Sequence, residues 1–263
     1  RELLEKIIAD FGRRRSKDRA GAHVELALVA RAEGKAEEAV HELEQASQMD
    51  VGNPRILKLL AQTAREGGQL EQAERSLRAL LLVVRRQPPG DEPDAVGLAE
   101  VLFELHYISA QRGDEEKAAE LLESALEAAR QSDAEVARLR RVLVDHRQGE
   151  LLLRAIEARL AQAEDPASRA QLLLYAAEAE ADLLERPAAA FDRLLEAMAL
   201  APGRPDLHAR ARAAAIKGGS LPRYLDAATA ELDRMRRKQE APRVAQLAME
   251  LGKLAEEEAA DLG

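Results

Sequence analysis

This sequence predicts an all-α chain built from repeated helix pairs, and three observations lead there. A short pattern recurs: Gly34, Ala39, Leu43 and Ala46, then Gly68, Ala73, Leu77 and Leu80 thirty-four residues later, then Gly113, Ala118, Leu122 and Ala125. Self-similarity at a fixed period of this size is the signature of a helical-repeat array. The apolar content is 46%, yet aromatics are only 2% and Trp is absent. Ala and Leu dominate, and such residues favour closely packed helices over sheets. Each recurring glycine also separates two helix-forming stretches, where a left-handed helix cap carries no side-chain penalty.

Composition then excludes several kinds of function. With 263 residues the chain is long enough for a sizeable core. A charged fraction of 33% and a net charge of −9 suit a soluble protein and oppose the positive field that nucleic acid requires. There are no cysteines, so disulfides, thiolate nucleophiles and Cys-based metal sites are excluded. No run of 18 apolar residues exists, so membrane insertion is not expected. The chain begins at Arg1 with no leader-like segment, which reads as a fragment or processed chain. The expected location is the cytoplasm, and the Arg-rich, Ala-rich usage suggests a bacterial gene by association.

In chain order, Leu3, Leu4, Ile7, Ile8 and Phe11 form the stripe of one helix, so residues 1–15 read as a half-repeat. Helix pairs follow at about Asp18–Glu33 with Lys35–Asp50, and at Pro54–Glu66 with Gln69–Arg86. The step from Gly68 to Gly113 is 45 residues, and the excess falls at Gln87–Pro93, a helix-breaking loop that serves as a partner dock or as a tolerated insertion. A third pair spans about Ala95–Arg112 and Glu115–Gln131. Gly149, Glu185 and Gly219 mark the turns of three further pairs, with Pro166, Pro202 and Pro222 near helix starts. The repeats expected are thus 20–53, 54–98, 99–134, 135–170, 171–204 and 205–240. A last half-repeat covers 241–263, its helix at about Pro242–Leu262, for about 14 helices in one array.

These residues resemble the tetratricopeptide repeat. Taking Gly34 as the turn glycine puts Leu26-Ala27, Ala39, Leu43 and Ala46 on the family's positions. The second unit offers Leu57, Leu60-Ala61, Ala73 and Leu77, and the fifth offers Leu174, Ala190, Leu194, Ala197 and Pro202. HEAT repeats have a longer period. The family's large first-helix position is held by His23, Leu57, Leu102, Leu174 and His208 instead of Trp. The fourth unit fits with a one-residue slip that places Leu139, Val142, Leu143 and Ala155 in the core, and the sixth sets Tyr224 near a small-residue position. The resemblance implies a right-handed superhelical solenoid that scaffolds protein partners, with no enzyme activity and no cofactor.

No catalytic pattern competes with this reading. His23, His41, His106, His146 and His208 are scattered and make neither an HExxH nor an i, i+4 pair, so they read as packing residues and not as zinc ligands. Carboxylates such as Glu115-Glu116 and Glu256-Glu257-Glu258 lie in runs on helix faces, with few aromatics to line a sugar cleft. No phosphate-binding or nucleophile-elbow glycine motif occurs.

What the resemblance leaves is a binding groove lined by the first helix of each pair. Positions 2, 5, 9 and 12 of that helix in the second unit are Arg55, Lys58, Gln62 and Arg65, a basic and polar row. The third unit adds Phe103 and Tyr107, the fourth Arg140 and Arg147, and the fifth Tyr175. Phe11, Phe191 and Tyr224 fall off this face. A basic row beside aromatics suits an acidic peptide with a hydrophobic anchor, whereas ordinary solvated charge and inter-repeat packing would leave the row without a ligand. The carboxylate clamp of chaperone-binding relatives needs Lys and Asn on successive first helices, and only Lys58 matches. The open ends offer surfaces for self-association. Two further readings are a regulatory arm of a larger signalling or DNA-binding protein, and a structural spacer.

Overall fold

The structure, a computed structural model, describes residues 1–12, 15–87, 90, 92, 95–237, 248–249 and 252–253. Among these residues there are thirteen α-helices and no strand. The helices are α1 (Glu2–Asp10), α2 (Lys17–Ala32), α3 (Ala36–Met49), α4 (Pro54–Glu66), α5 (Leu70–Arg86), α6 (Leu98–Gln111), α7 (Glu115–Gln131), α8 (Asp133–Asp145), α9 (Gly149–Leu160), α10 (Pro166–Asp182), α11 (Pro187–Leu200), α12 (Pro205–Lys217) and α13 (Leu221–Arg237). The helix expected at Pro242–Leu262 lies outside the described residues, except for four of its positions. Two compact units divide the chain, Arg1–Val142 and Leu143–Gly263, with the boundary inside α8.

Local chemistry explains the helix starts. Ser16 caps α2 by accepting from the Arg19 N–H, and Asn53 caps α4 by accepting from Arg55 and Ile56. Pro54, Pro166, Pro187 and Pro205 occupy first helical positions, where a missing N–H removes no helix bond.

The hairpin turns share one closure. Gly34, Gly68, Gly113 and Gly219 have φ between 62° and 79°. At each, the following N–H reaches back to the last helical turn: Lys35 to the Ala30 carbonyl, Gln69 to Ala64, Asp114 to Ser109 and Ser220 to Ala215, all at 2.8–3.0 Å. The fourth turn differs from its expected position. Arg147, not Gly149, takes the left-handed conformation with φ 55°, and Gln148 N–H donates to the Leu143 carbonyl at 2.8 Å. Gly149 instead opens α9, where an added Cβ would meet Leu184 at 2.8 Å. The fifth turn is held by Glu185, also at φ 55°, and its closing bond runs from Arg186 N–H to the Glu180 carbonyl, one residue farther back.

Packing follows the repeat. In the first unit Ala39, Leu43, Ala73, Leu77 and Leu80 bury against Ala27, Leu60, Ala61 and Ala64 of the partner helices. In the second, Ala190, Leu194 and Ala197 of α11 are buried, as are Leu172, Leu173, Leu174, Ala176 and Ala177 of α10. Leu139, Val142, Leu143 and Ala155 are buried as the one-residue slip requires. Where alanines face each other the helices approach closely, and Leu fills the remaining space.

Ion pairs stitch neighbouring repeats together at their edges. In the first unit Arg31 bonds Glu66 at 2.7 Å, and Glu74 receives Arg78, Arg112 and Lys117 at 2.7, 2.9 and 2.7 Å. In the second unit Glu150 holds Arg186, Glu157 holds Arg193 and Asp192 holds Arg223, at 2.6–2.9 Å. Lys117 above all, then Arg78, keeps the Glu74 carboxyl below its ordinary range.

Two outcomes are expected. Arg147→Gly relieves a left-handed conformation and should raise the urea midpoint, by about 1 kcal/mol of stability. Glu74→Gln should lower stability at neutral pH by about 1 kcal/mol, a modest figure because its partners are exposed and screened. A lowered carboxyl pKa gives stability that is present above the unfolded value of 4.5 and lost as pH falls through the folded one. The two pH–stability curves should therefore converge on the acid side of 4.5.

Candidate functional site

The row on α4 is already engaged by the next repeat. Lys58 Nζ pairs with the Glu100 carboxylate on α6. Glu100 is only 2% exposed; Lys58 meets its Oε1, while its Oε2 accepts from the Gly97 N–H at 3.5 Å and lies 3.8 Å from Arg141 on α8. One buried carboxylate thus faces two cations. Arg65 lies 3.6 Å from Glu104 of α6, with its guanidinium 5.7 Å from the Tyr107 ring centre, a cation–π distance. Gln62 is half-buried between them. The space they enclose together with Leu77, Leu80 and Ile108 is about 10 Å³, room for a water at most. Arg55 is exposed, and no described residue forms an ion pair with it.

The aromatic part of the expected face is corrected. Phe103 is 1% exposed and lies inside the core, its ring centre 5.4 Å from that of His106. The reason lies in α6, which buries every residue from Ala99 to Leu105 and then Ile108 and Ser109. Neighbours enclose the first half of α6 on every side, including Glu100 and Glu104, so counting from a repeat template misplaces its fifth position. Tyr107 and Arg140 are half-buried, and Arg147 sits in the exposed turn described above.

The same helix is held from its other side. Glu135 Oε2 accepts from the Ala99 N–H at 2.8 Å, and its Oε1 binds Arg138 at 3.0 Å. Arg138 donates to the Gly90 carbonyl and Arg141 to the Ala95 carbonyl, so α8 grips the loop inserted before α6. A Cβ at Gly97 would come within 2.7–2.9 Å of the Arg138 and Glu135 side chains, which would have to shift to admit it.

Of the five histidines, His23 and His208 are buried, while His41 is exposed. His23 Nδ1 is 2.6 Å from Glu42, and buried His208 lies between the Tyr224 hydroxyl at 3.3 Å and Glu231 at 3.1 Å. Tyr224 fits its small-residue position because its hydroxyl has this partner. Among the described residues no group of His, Cys, Asp or Glu is arranged to hold a metal, and no helix is long and apolar enough to cross a membrane.

A roomier surface lies in the second unit, where sequence spacing points to Arg147 and Tyr175. A groove of about 730 Å³ opens between α10 and α12 over α11. Leu174, Ala177, Ala190 and Leu194 form its floor, and Ala181, Ala213 and Ala214 its walls. Glu178 and Arg210 pair across it at 2.5 Å, and Asp182, Glu185 and Lys217 stand on the rim. Tyr175 is half-buried, next in sequence to Leu174 of the floor. The signal that could have found the groove is alanine at Ala177 and Ala181, four apart on α10, together with Ala213 and Ala214 on α12. Short side chains on facing helices leave space where leucines would have filled it. Beneath the same helices, burial pushes the Glu180 carboxyl up, and Arg193 at 3.7 Å offsets this in part.

The engaged row makes a test. Lys58→Met leaves Glu100 buried without its nearest cation and should cost about 2 kcal/mol or more in urea unfolding, below the roughly 3–5 kcal/mol of a fully buried pair. Arg55→Met, on the exposed side, should stay within about 0.5 kcal/mol of the parent.

Residues 30–92 match the family model described as tetratricopeptide repeat. No curated protein matches the chain. Similar solved structures include a thermophilic TPR protein of Thermus thermophilus, 20% identical, covering 75% of this chain and 99% of that one with a TM-score of 0.39. The complex of the TPR2AB domain of yeast Sti1 with pHSP90 is 15% identical over 90% of this chain and 100% of that one, with a TM-score of 0.36. Yeast Tom70 is 11% identical over 91% of this chain and 47% of that one, with a TM-score of 0.47. The matched segment runs from the end of α2 through the α4–α5 hairpin, and this part of the chain is similar to the tetratricopeptide repeat.

Proposed function

We infer that this chain is a scaffold that docks a partner protein, and that the docking site is the α10–α12 groove of the second unit. Tetratricopeptide repeats commonly mediate protein–protein interaction. The observation that carries the choice of site is the contrast in free space. The α4 row encloses about 10 Å³ and its Lys58 and Arg65 are already paired, whereas the α10–α12 groove offers about 730 Å³ above an apolar floor. That volume falls in the range of roughly 300–1,000 Å³ typical of ligand-binding clefts. Two helices flanking an open apolar channel suit a partner segment that inserts one aliphatic side chain. In this reading the α4–α6 contacts keep the repeats in register, and they are not the docking face.

Blocking the groove tests this. Ala181 and Ala213 are wall residues with room beside them, so Ala181→Trp and Ala213→Trp should fold with unchanged helicity and thermal midpoint. Peptides selected from a displayed random library on the parent chain should lose at least tenfold in affinity on either variant. Undiminished binding of every selected peptide to both variants would remove the groove from consideration.

A further inference from the structure

We propose that the occupant of the α10–α12 groove is a basic segment of a partner protein, one aliphatic side chain on the floor and Lys or Arg groups on the rim; this rests on the docking reading above. The charge around the groove is the ground. Glu178 and Arg210 neutralise each other at 2.5 Å. Asp182 and Glu185 on the α10 side then face Lys217 alone on the α12 side. Among the described residues none of these three has an ion-pair partner. Arg186, next to Glu185, is turned away to Glu150 at 2.6 Å.

The backbone adds to this balance. α10 ends at Asp182 and α12 at Lys217, so two helix C-termini, each with about half a negative charge, end beside the groove, against one N-terminus at Pro187 of α11. The rim therefore favours a cation. The net charge of −9 draws the same partner from a distance. The lining excludes other ligand classes. It holds no aromatic ring on which a nucleobase could stack, and its free charge is of the wrong sign for phosphate.

This differs from the acidic peptide that the α4 row implies, and the difference is measurable. Peptides that bind the parent chain but not Ala181→Trp should share a consensus of one aliphatic residue flanked by Lys or Arg. Their affinity should fall about tenfold on a double Asp182→Asn, Glu185→Asn variant; asparagine is chosen because it tolerates the left-handed backbone at position 185. It should fall several-fold more as salt is raised from about 50 to 300 mM, since the rim charges are screened. Groove-dependent peptides that are acidic or without charge bias, or that keep full affinity for the Asn variant, overturn the basic-segment proposal and leave the docking reading standing. Absence of any groove-dependent peptide overturns both.

Discussion

The constraint on which the rest of the structure depends is the closure of each helix pair. One residue takes a left-handed backbone conformation, and the next N–H returns to a carbonyl about one and a half turns back. That step fixes the angle at which the second helix leaves, and hence which faces meet. Given the closure, alanine five residues after the turn can touch the preceding helix, and leucine four residues later completes the contact. The closure is backbone chemistry, so it also forms at turns that hold no glycine. Arg147 and Glu185 adopt the same conformation with φ 55°, each at the steric cost of an L side chain in that region.

This explains why the fold was legible and where it was not. Glycine and alanine at fixed spacing report directly on turn conformation and close approach, so α2–α5 and α7 could be bounded to within a residue or so. The fourth turn was misread because Gly149 looks like a turn glycine but is needed for another reason, its closeness to Leu184. Gly149 and a turn glycine such as Gly113 are alike in sequence and differ in physics: the second is required by a dihedral angle, the first by a neighbour just past the end of the next helix.

The candidate site was legible only in part, for a related reason. A helical template names which positions face outward, but not what the next helix brings to them. Lys58 and Arg65 lie on the expected face, yet Glu100 and Glu104 reach them across more than thirty residues that include the irregular insertion. Phe103 fails differently, since α6 has no outward face at its fifth position. The α10–α12 groove was missed because it is defined by side chains that are small. A list of charged and aromatic residues is blind to missing volume.

The pairing of α6 has a consequence for how such a chain can change over evolutionary time. Repeat arrays commonly grow and shrink by duplicating or deleting whole units, because each unit meets its neighbours through similar apolar faces. Here Glu100 and Glu104 match cations on α4, while Glu135, Arg138 and Arg141 of α8 hold the start of α6 and the loop before it. A copy of α6–α7 inserted elsewhere would bury two carboxylates without partners, and its deletion would leave Lys58 and Arg65 opposite a foreign surface. The α4–α8 segment is thus heritable as a block, and length variation among descendants of this chain should accumulate outside it.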